Sequence, residues 1–279
     1  MDTKWIDIMR TAKLVSLPDI YLRLKSVLDD PDYSMAEVAI VISQDPATSL
    51  RLLRMVNSSL YGFEGKIETV SRAITLLGTQ QVHDLVLATS VAQVFKGLSP
   101  ALMDMRKFWH SSVWCAVTSR ILAGLVAGCD KERLFVAGLL RDIGHLFMYQ
   151  AIPDLSEQAL LAAREAGEPL HTIERTLIGF DYAKVGAEVL RTWSLPESLW
   201  LITMFHVEPE KAEKYPLETA LVHLGSVLTQ AEENGVFNEG SLTVQNSAWT
   251  VTGLSPEDCT ALHGKIEVET GAVMDLFFA

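Results

Sequence analysis

The sequence has 279 residues, 49% of them hydrophobic, and carries 35 Asp and Glu against 23 Lys and Arg, which gives a formal net charge of -12. This apolar share is that of a globular protein with a sizeable core, so an intrinsically disordered chain is excluded. The acidic balance argues against general binding to nucleic acid or to anionic membrane surfaces, because both attract basic proteins.

The cysteines and the apolar stretches indicate the compartment. Cys115, Cys129 and Cys259 are scattered and form no CxxC pair, which is typical of a protein in a reducing compartment. The most apolar long stretch, residues 113–129, is interrupted by Arg120 and is too short to span a bilayer comfortably. The first ten residues mix charged and apolar side chains, unlike a signal peptide. We therefore expect a cytoplasmic protein without a membrane segment.

Helix signals begin early in the chain. Ser34 and Glu37 have the spacing of a capping box at the start of a helix. Asp45 followed by Pro46 places a capping residue before a proline at the first helical position. Gly78 suits the C-terminal end of a short helix that precedes it. The N-terminal part is therefore predicted to be helical.

The rest of the chain continues this pattern. Helices are predicted, in chain order, at residues 80–95, 101–126, 130–151, 155–166, 173–177, 182–192, 196–207 and 216–234, with a last one that opens at 255–258. We predict an all-α fold of two packed helical subdomains, residues 1–98 and 99–234. Residues 235–279 are predicted to form a loop and a C-terminal helix that pack on the second subdomain. A short β-hairpin could form near 243–252.

A helix-turn-helix is the first functional alternative that the sequence raises, at residues 72–90. A DNA reader needs basic and polar side chains on its second helix. Here His83 and Asp84 are followed by an apolar run, which indicates core packing with a polar edge. We therefore expect no nucleic-acid partner.

The charged residues within residues 138–144 raise a second question. Arg141 and Asp142 interrupt an apolar helix, which costs free energy unless each finds a partner. Neighbours on one helix project about 100° apart and do not face each other. Asp142 is therefore expected to pair with His145 or His110, in a structural ion-pair network or in a functional site.

Six segments together resemble the HDOD family, over roughly residues 14–210. They are ISQDP at 42–46, LLRMVNSSLYG at 52–62, AITLLG at 73–78, WHS at 109–111, AGLLRDIG at 137–144 and GFDYAKVG at 179–186. We expect a structural role for the motif residues of the N-terminal half, Asp45, Pro46, Asn57, Tyr61, Gly62 and Gly78.

The resemblance implies that the second subdomain is an HD-like helical bundle, related to HD-type metal phosphohydrolases. On this basis His110 matches the first metal-binding His, and Asp142 matches the Asp of the His-Asp pair. Arg141 replaces the paired His, and Tyr182 stands where another His is expected. His206 lies in the segment where those enzymes place further His residues. We name these five residues the vestigial pocket.

Arg141 stands in place of the paired metal-binding His, and this replacement determines which functional hypothesis we prefer. Arginine has only hydrogen-bond donors and stays protonated, so it cannot ligate a cation. We therefore expect no catalytic residues, no metal ligands and no cofactor. The resemblance implies a non-catalytic bacterial regulatory module, whose partners are other signalling proteins of two-component or cyclic-dinucleotide pathways.

Two alternatives stay open. One is a metal-dependent phosphohydrolase of the HD type. The other is a sensor of nucleotides or small anions, in which the Arg141 fork binds phosphate or carboxylate.

Overall fold

The computed structural model describes residues 3–14, 17–94, 102–238, 240 and 242–278. These residues are helical or irregular and contain no strand, which confirms the all-α fold. The helices are α1 Thr3–Leu14, α2 Asp19–Leu28, α3 Met35–Ser43, α4 Pro46–Val56, α5 Val70–Leu77, α6 Thr79–Val94, α7 Met105–Ala123, α8 Lys131–Leu140, α9 Ile143–Ala151, α10 Pro153–Ala166, α11 Leu170–Leu177, α12 Tyr182–Thr192, α13 Glu197–Phe205, α14 Pro216–Glu233, α15 Asn246–Thr252, α16 Pro256–Thr260 and α17 His263–Phe278. None of them is long and apolar enough to cross a membrane.

The chain divides into two compact units, one of residues 1–16 and 98–263 and the other of residues 17–97 and 264–279. Helix α1 joins the larger unit because its apolar face packs on α9 and α12. Within that contact Trp5 meets the ring of Phe180, and Lys4 Nζ donates to the carbonyl oxygen of Ile178 at 2.7 Å.

The smaller unit is organised by helix caps and a buried apolar core. Ser34 and Glu37 form the predicted capping box at the start of α3, and the Asp45 side chain caps α4. Helix α6 packs against α2, α4 and α5. His83 and Asp84 of α6 are both buried and lie 2.9 Å apart from Nδ1 to Oδ1. Their placement fits the interpretation of this dipeptide as core packing.

The larger unit is built around α7, which packs against α8 and α14. Two glycines allow these close approaches. A Cβ atom at Gly138 would lie 2.9 Å from Ala116 Cα, and one at Gly225 would lie 2.5 Å from Ser119 Oγ. Helix α12 packs against α9 and α13 in the same unit. The candidate site lies where α7, α8 and α14 meet α12 and α13.

The predicted β-hairpin near 243–252 is wrong, because residues 246–252 form α15. Ala248 and Thr252 are both buried, and their spacing of four places them on one helical face. The hydroxyls of Thr250 and Thr252 donate to the carbonyl oxygens four residues earlier, so these β-branched side chains are accommodated in a helix.

The predicted helix over residues 130–151 is also wrong, because the chain forms two helices, α8 and α9, with a break at Arg141 and Asp142. Asp142 has φ −100° and ψ 8°, which lies outside the helical region, and it becomes the residue before α9. The break changes which side chains can meet at this point.

Candidate functional site

Arg141 and Asp142 form an ion pair at the break between α8 and α9. The Arg141 Nη2 atom lies 2.9 Å from Asp142 Oδ2. The expectation that these neighbours do not face each other is therefore wrong, since it assumed a continuous helix. Burial alone would raise the pKa of Asp142, but the guanidinium of Arg141, together with the nearby His206 and His145, outweighs burial and holds that pKa well below its usual range.

The guanidinium of Arg141 is buried, and several protein acceptors surround it. Its Nε atom donates to Ser226 Oγ at 3.3 Å. Its Nη1 atom donates to the carbonyl oxygens of Gly138, at 3.2 Å, and of Ser111, at 3.4 Å. Burial alone would lower the pKa of Arg141, but Asp142, with smaller effects of Cys115, Tyr182 and Glu233, outweighs burial, and the pKa of Arg141 is raised. The side chain therefore stays charged and is held by α7, α8 and α14.

Tyr182 lies beside this pair and stacks on His145, with ring centroids 3.9 Å apart. Burial lowers the pKa of His145 to about 4, so the imidazole is neutral at pH 7. The Glu174 side chain of α11 accepts a hydrogen bond from the backbone N–H of Tyr182 at 2.8 Å. Burial raises the pKa of Glu174 to about 8, so this carboxyl is largely protonated at pH 7.

His206 completes this group. Its ring faces the ring of Tyr182 edge-on, with centroids 5.8 Å apart, and its Nε2 atom lies 3.7 Å from Asp142 Oδ1. The carbonyl oxygen of His206 accepts a hydrogen bond from His223 Nδ1 at 2.8 Å. Burial lowers the pKa of His223 to about 4, so this second imidazole is neutral at pH 7.

These side chains line a cavity of about 690 Å³, which we name the Arg141 pocket. Its lining residues lie entirely within the larger unit. Four of the five predicted residues line it, namely Arg141, Asp142, Tyr182 and His206. The fifth, His110, is exposed and does not line this cavity, and its ring lies 6.0 Å from that of Trp114.

The motif residues of the N-terminal half lie in the smaller unit. The Asn57 amide donates to the carbonyl oxygens of Leu53 and Ile67 and accepts from the Ile67 N–H, with all three distances between 2.7 and 2.8 Å. It thereby joins the end of α4 to the following loop. Tyr61 stacks on Phe63, with ring centroids 6.0 Å apart.

Gly62 and Gly78 have φ values of 58° and 88°, which side-chain-bearing residues rarely adopt. Asp45 and Pro46 begin α4, as their motif position predicts.

The sequence model of the HDOD domain matches residues 14–209, which is most of the chain. The chain belongs to the HDOD family. This HDOD protein is also 23% identical over 211 residues to an uncharacterized protein of Treponema pallidum (strain Nichols). That match covers 74% of this chain, which spans 40% of the length of the relative.

Several solved structures share this fold. A provisionally named phosphohydrolase from Shewanella amazonensis SB2B has a TM-score of 0.77 at 22% identity, over 97% of this chain and 98% of that one. An HDOD domain protein of unknown function from Geobacter sulfurreducens has a TM-score of 0.77 at 21% identity, over 99% of both chains. A provisionally named signal transduction protein from Marinobacter aquaeolei VT8 has a TM-score of 0.71 at 21% identity, over 96% of this chain and 60% of that one.

The donor set of the Arg141 pocket does not fit the metal ions of HD-type enzymes. A catalytic metal site needs at least three protein ligands with lone pairs at short range. Among the residues that the structure describes, no three or more His, Cys, Asp or Glu side chains are placed to hold a metal ion. Arg141 offers only donors at the centre of the site, and its charge repels a cation.

Several pocket residues were not predicted from the sequence. Glu174 lies on α11, eight residues before Tyr182, and His223 lies on α14, and no local pattern marks either position. Ser226 of α14 contacts Arg141 directly. His145 was considered only as a partner for Asp142, although its spacing of three residues from Asp142 could have indicated a place in the same site.

The buried carboxyl of Glu174 predicts a pH dependence of stability. Folded Glu174 keeps its proton up to about pH 8, whereas an unfolded glutamate loses it near 4.5, so the folded state binds more protons in this window. The free energy of unfolding should therefore fall as pH rises through it. Between pH 5 and pH 8 we expect the free energy of unfolding of the wild type to fall by on the order of 2 kcal/mol, and we expect Glu174→Gln to remove this fall.

Urea denaturation of both proteins at pH 5, 6, 7 and 8 measures this difference. The exposed Glu165→Gln on α10 is the matched control, and its difference from wild type should be constant over the same range. A constant difference for Glu174→Gln as well would show that Glu174 is ionised in the folded protein at pH 7.

Proposed function

We propose that this HDOD protein is a non-catalytic regulatory module of bacterial signal transduction that acts through contacts with other proteins. The observation that carries the proposal is the Arg141–Asp142 ion pair, in which a guanidinium stands at the position of a metal-binding imidazole. Asp142, which matches the Asp of the HD-type His-Asp pair, is therefore held in an ion pair by the guanidinium of Arg141. Water activation by a metal at this point has no ligand set to support it.

Tyr182 strengthens the proposal, because it stands at a second position where the enzymes carry a His. Burial raises the pKa of its hydroxyl well above the usual value, so the phenol stays neutral and is a poor metal ligand. His110, the third position, is exposed and outside the lining of the pocket. The hydrolase alternative therefore lacks support at three of its expected ligand positions.

The anion-sensor alternative also has less support than the regulatory role. It requires guanidinium donors that face a ligand. The Arg141 side chain is only 4% exposed, and its donors already meet Asp142, Ser226 and two backbone carbonyl oxygens.

The proposed partners are other signalling proteins of two-component or cyclic-dinucleotide pathways. This part of the proposal rests on membership of the HDOD family. The signal transduction protein from Marinobacter aquaeolei is a structural neighbour, and its name describes that protein only.

A phosphodiesterase assay with added Mn²⁺ tests the non-catalytic role. We expect no turnover of a chromogenic phosphodiester or of cyclic dinucleotides above a protein-free blank, and no difference between wild type and Asp142→Asn. Metal-dependent turnover that Asp142→Asn abolishes and His110→Asn preserves would establish a catalytic centre in the Arg141 pocket.

A further inference from the structure

Two buried polar atoms without a partner face each other beside the Arg141 pocket. Glu174 Oε1 and His145 Nδ1 lie 3.9 Å apart, and neither has a hydrogen-bond partner among the residues that the structure describes. The Glu174 side chain is 1% exposed and that of His145 is 12% exposed. Their separation is only about 1 Å longer than a hydrogen bond. Buried polar atoms are rarely left without a partner, so the pair needs an explanation.

A single proton on Glu174 can satisfy both atoms. The other oxygen of this carboxyl, Oε2, accepts from the backbone N–H of Tyr182 at 2.8 Å, so a protonated Glu174 carries its hydrogen on Oε1. Burial lowers the pKa of His145 to about 4 and outweighs the opposite effect of Asp142, so the ring is neutral at pH 7. A neutral imidazole accepts at one of its nitrogens. The Glu174 O–H can therefore donate to His145 Nδ1.

The surroundings of Glu174 favour the protonated carboxyl. Burial is the largest cause of its raised pKa of about 8, and the carboxylates of Asp181 and Asp142 act in the same direction. The backbone N–H of Tyr182 and the guanidinium of Arg175 oppose this rise without reversing it. The proton therefore resides on Glu174 at pH 7, and the contact with His145 is not an ion pair.

The other groups around Glu174 provide no charge to balance an ionised carboxylate. Arg175 is the cation on the same helix, but it is already paired with Asp181 and with Glu208. Tyr149 of α9 is neutral at pH 7, because burial raises the pKa of its hydroxyl. A carboxylate at Glu174 would therefore be a buried charge with no free partner, which costs free energy unless water reaches it.

Helix α11, which carries Glu174, begins in the wall of the Arg141 pocket. Residues 167–171, which are the turn after α10 and the first two residues of α11, line the cavity. Glu174 lies about one helical turn further along α11. Its hydrogen bond to the Tyr182 N–H joins α11 to the start of α12. Hydration of an ionised Glu174 requires α11 to separate from α12, and this movement changes the wall of the pocket.

We propose that Glu174 and His145 form a proton-dependent latch, in which one shared proton holds α11 in the wall of the Arg141 pocket and loss of this proton releases α11. Latched Glu174 keeps its proton up to about pH 8, whereas a hydrated glutamate loses it near 4.5. The latched state therefore binds more protons and is disfavoured as pH rises between these values. The inference is independent of the regulatory role, because it requires neither a partner nor the absence of turnover.

Two spectra at pH 6 locate the proton. In the infrared difference spectrum between wild type and Glu174→Gln, we expect the carbonyl band of a protonated carboxyl. In NMR spectra of wild type with ¹⁵N-labelled histidines, we expect a neutral His145 whose Nδ1 accepts a hydrogen bond. An imidazolium at His145 with a carboxylate at Glu174 would overturn the proposal. If Glu174→Gln does not fold, the NMR spectrum of the wild type decides this point alone.

Amide hydrogen exchange, corrected for the intrinsic exchange rate at each pH, tests the release of α11. We expect the protection of α11 in the wild type to fall roughly 30-fold between pH 5 and pH 8. In Glu174→Gln it should stay constant, because the amide can donate to His145 at every pH. In both proteins α11 should be less protected than α7, because the opening is local.

The matched control is Glu168→Gln, which changes an exposed carboxylate in the turn before α11. This variant should show the same fall in the protection of α11 as the wild type. A fall that persists in Glu174→Gln would overturn the proposal, since another group would then control α11. Equal protection of α11 and α7 in the wild type would also overturn it, because α11 would then open only when the whole unit unfolds.

Discussion

Replacement of Asp142 by alanine is expected to destabilise this HDOD protein by about 3–5 kcal/mol, because it leaves the Arg141 charge buried without its partner. The Arg141 side chain is 4% exposed, so its charge is largely removed from solvent. Its remaining partners are neutral oxygens of Ser226, Gly138 and Ser111, which do not compensate the charge. Urea denaturation at pH 7 measures the change in the free energy of unfolding.

The double variant Arg141→Met with Asp142→Ala provides the internal control. Replacing both members of a buried ion pair by apolar groups is often neutral or stabilising, so the double variant should recover most of the loss. Glu188→Ala breaks the exposed Arg191–Glu188 pair and should cost less than about 1 kcal/mol. If Asp142→Ala cost as little as Glu188→Ala, Arg141 would not depend on Asp142 for its charge compensation.

Gly144→Ala is expected to destabilise the larger unit by about 3 kcal/mol or more, at the upper end of overpacking effects. A Cβ atom at Gly144 would lie 1.9 Å from the carbonyl oxygen of Tyr182 and 2.7 Å from the backbone nitrogen of Gly186. Both obstacles are backbone atoms, so a side-chain rotation cannot relieve the clash. The substitution forces α9 and α12 apart at the point that places Asp142 beside Tyr182.

Thermal and urea denaturation of Gly144→Ala measure this effect, and Gly271→Ala in α17 is the matched control. Gly271 is also helical, is exposed, and has no atom within 4 Å of an added Cβ. That variant should be neutral or more stable by up to about 1 kcal/mol, from helix propensity alone. Equal stability of the two variants would mean that α9 and α12 do not approach as closely as the structure describes.

Local signals in the sequence predicted much of the fold. The capping box of Ser34 and Glu37 and the Asp45-Pro46 start both lie where they were expected, and α12 has the predicted bounds Tyr182–Thr192. Each of these features depends on residues within a few positions of one another. The β-hairpin prediction failed because β-branched threonines favour strands on average, whereas packing of α15 against α14 determined the conformation of residues 246–252.

The candidate site could be predicted only in part. The HDOD motifs led to Arg141, Asp142, Tyr182 and His206, but the direct ion pair depends on a helix break that periodicity does not reveal. The place of Glu174 depends on the packing of α11 beside α12, which no local pattern encodes. His110 was assigned from motif order alone, and its exposure depends on tertiary structure.

The metal content of the protein after purification and dialysis against Mn²⁺, measured by elemental analysis, tests whether Arg141 has replaced a metal ligand. We expect less than stoichiometric metal in the wild type, with no change in Asp142→Asn, because a guanidinium fills the position of a ligand. One or two tightly held metal ions per chain in the wild type, lost in Asp142→Asn, would contradict it.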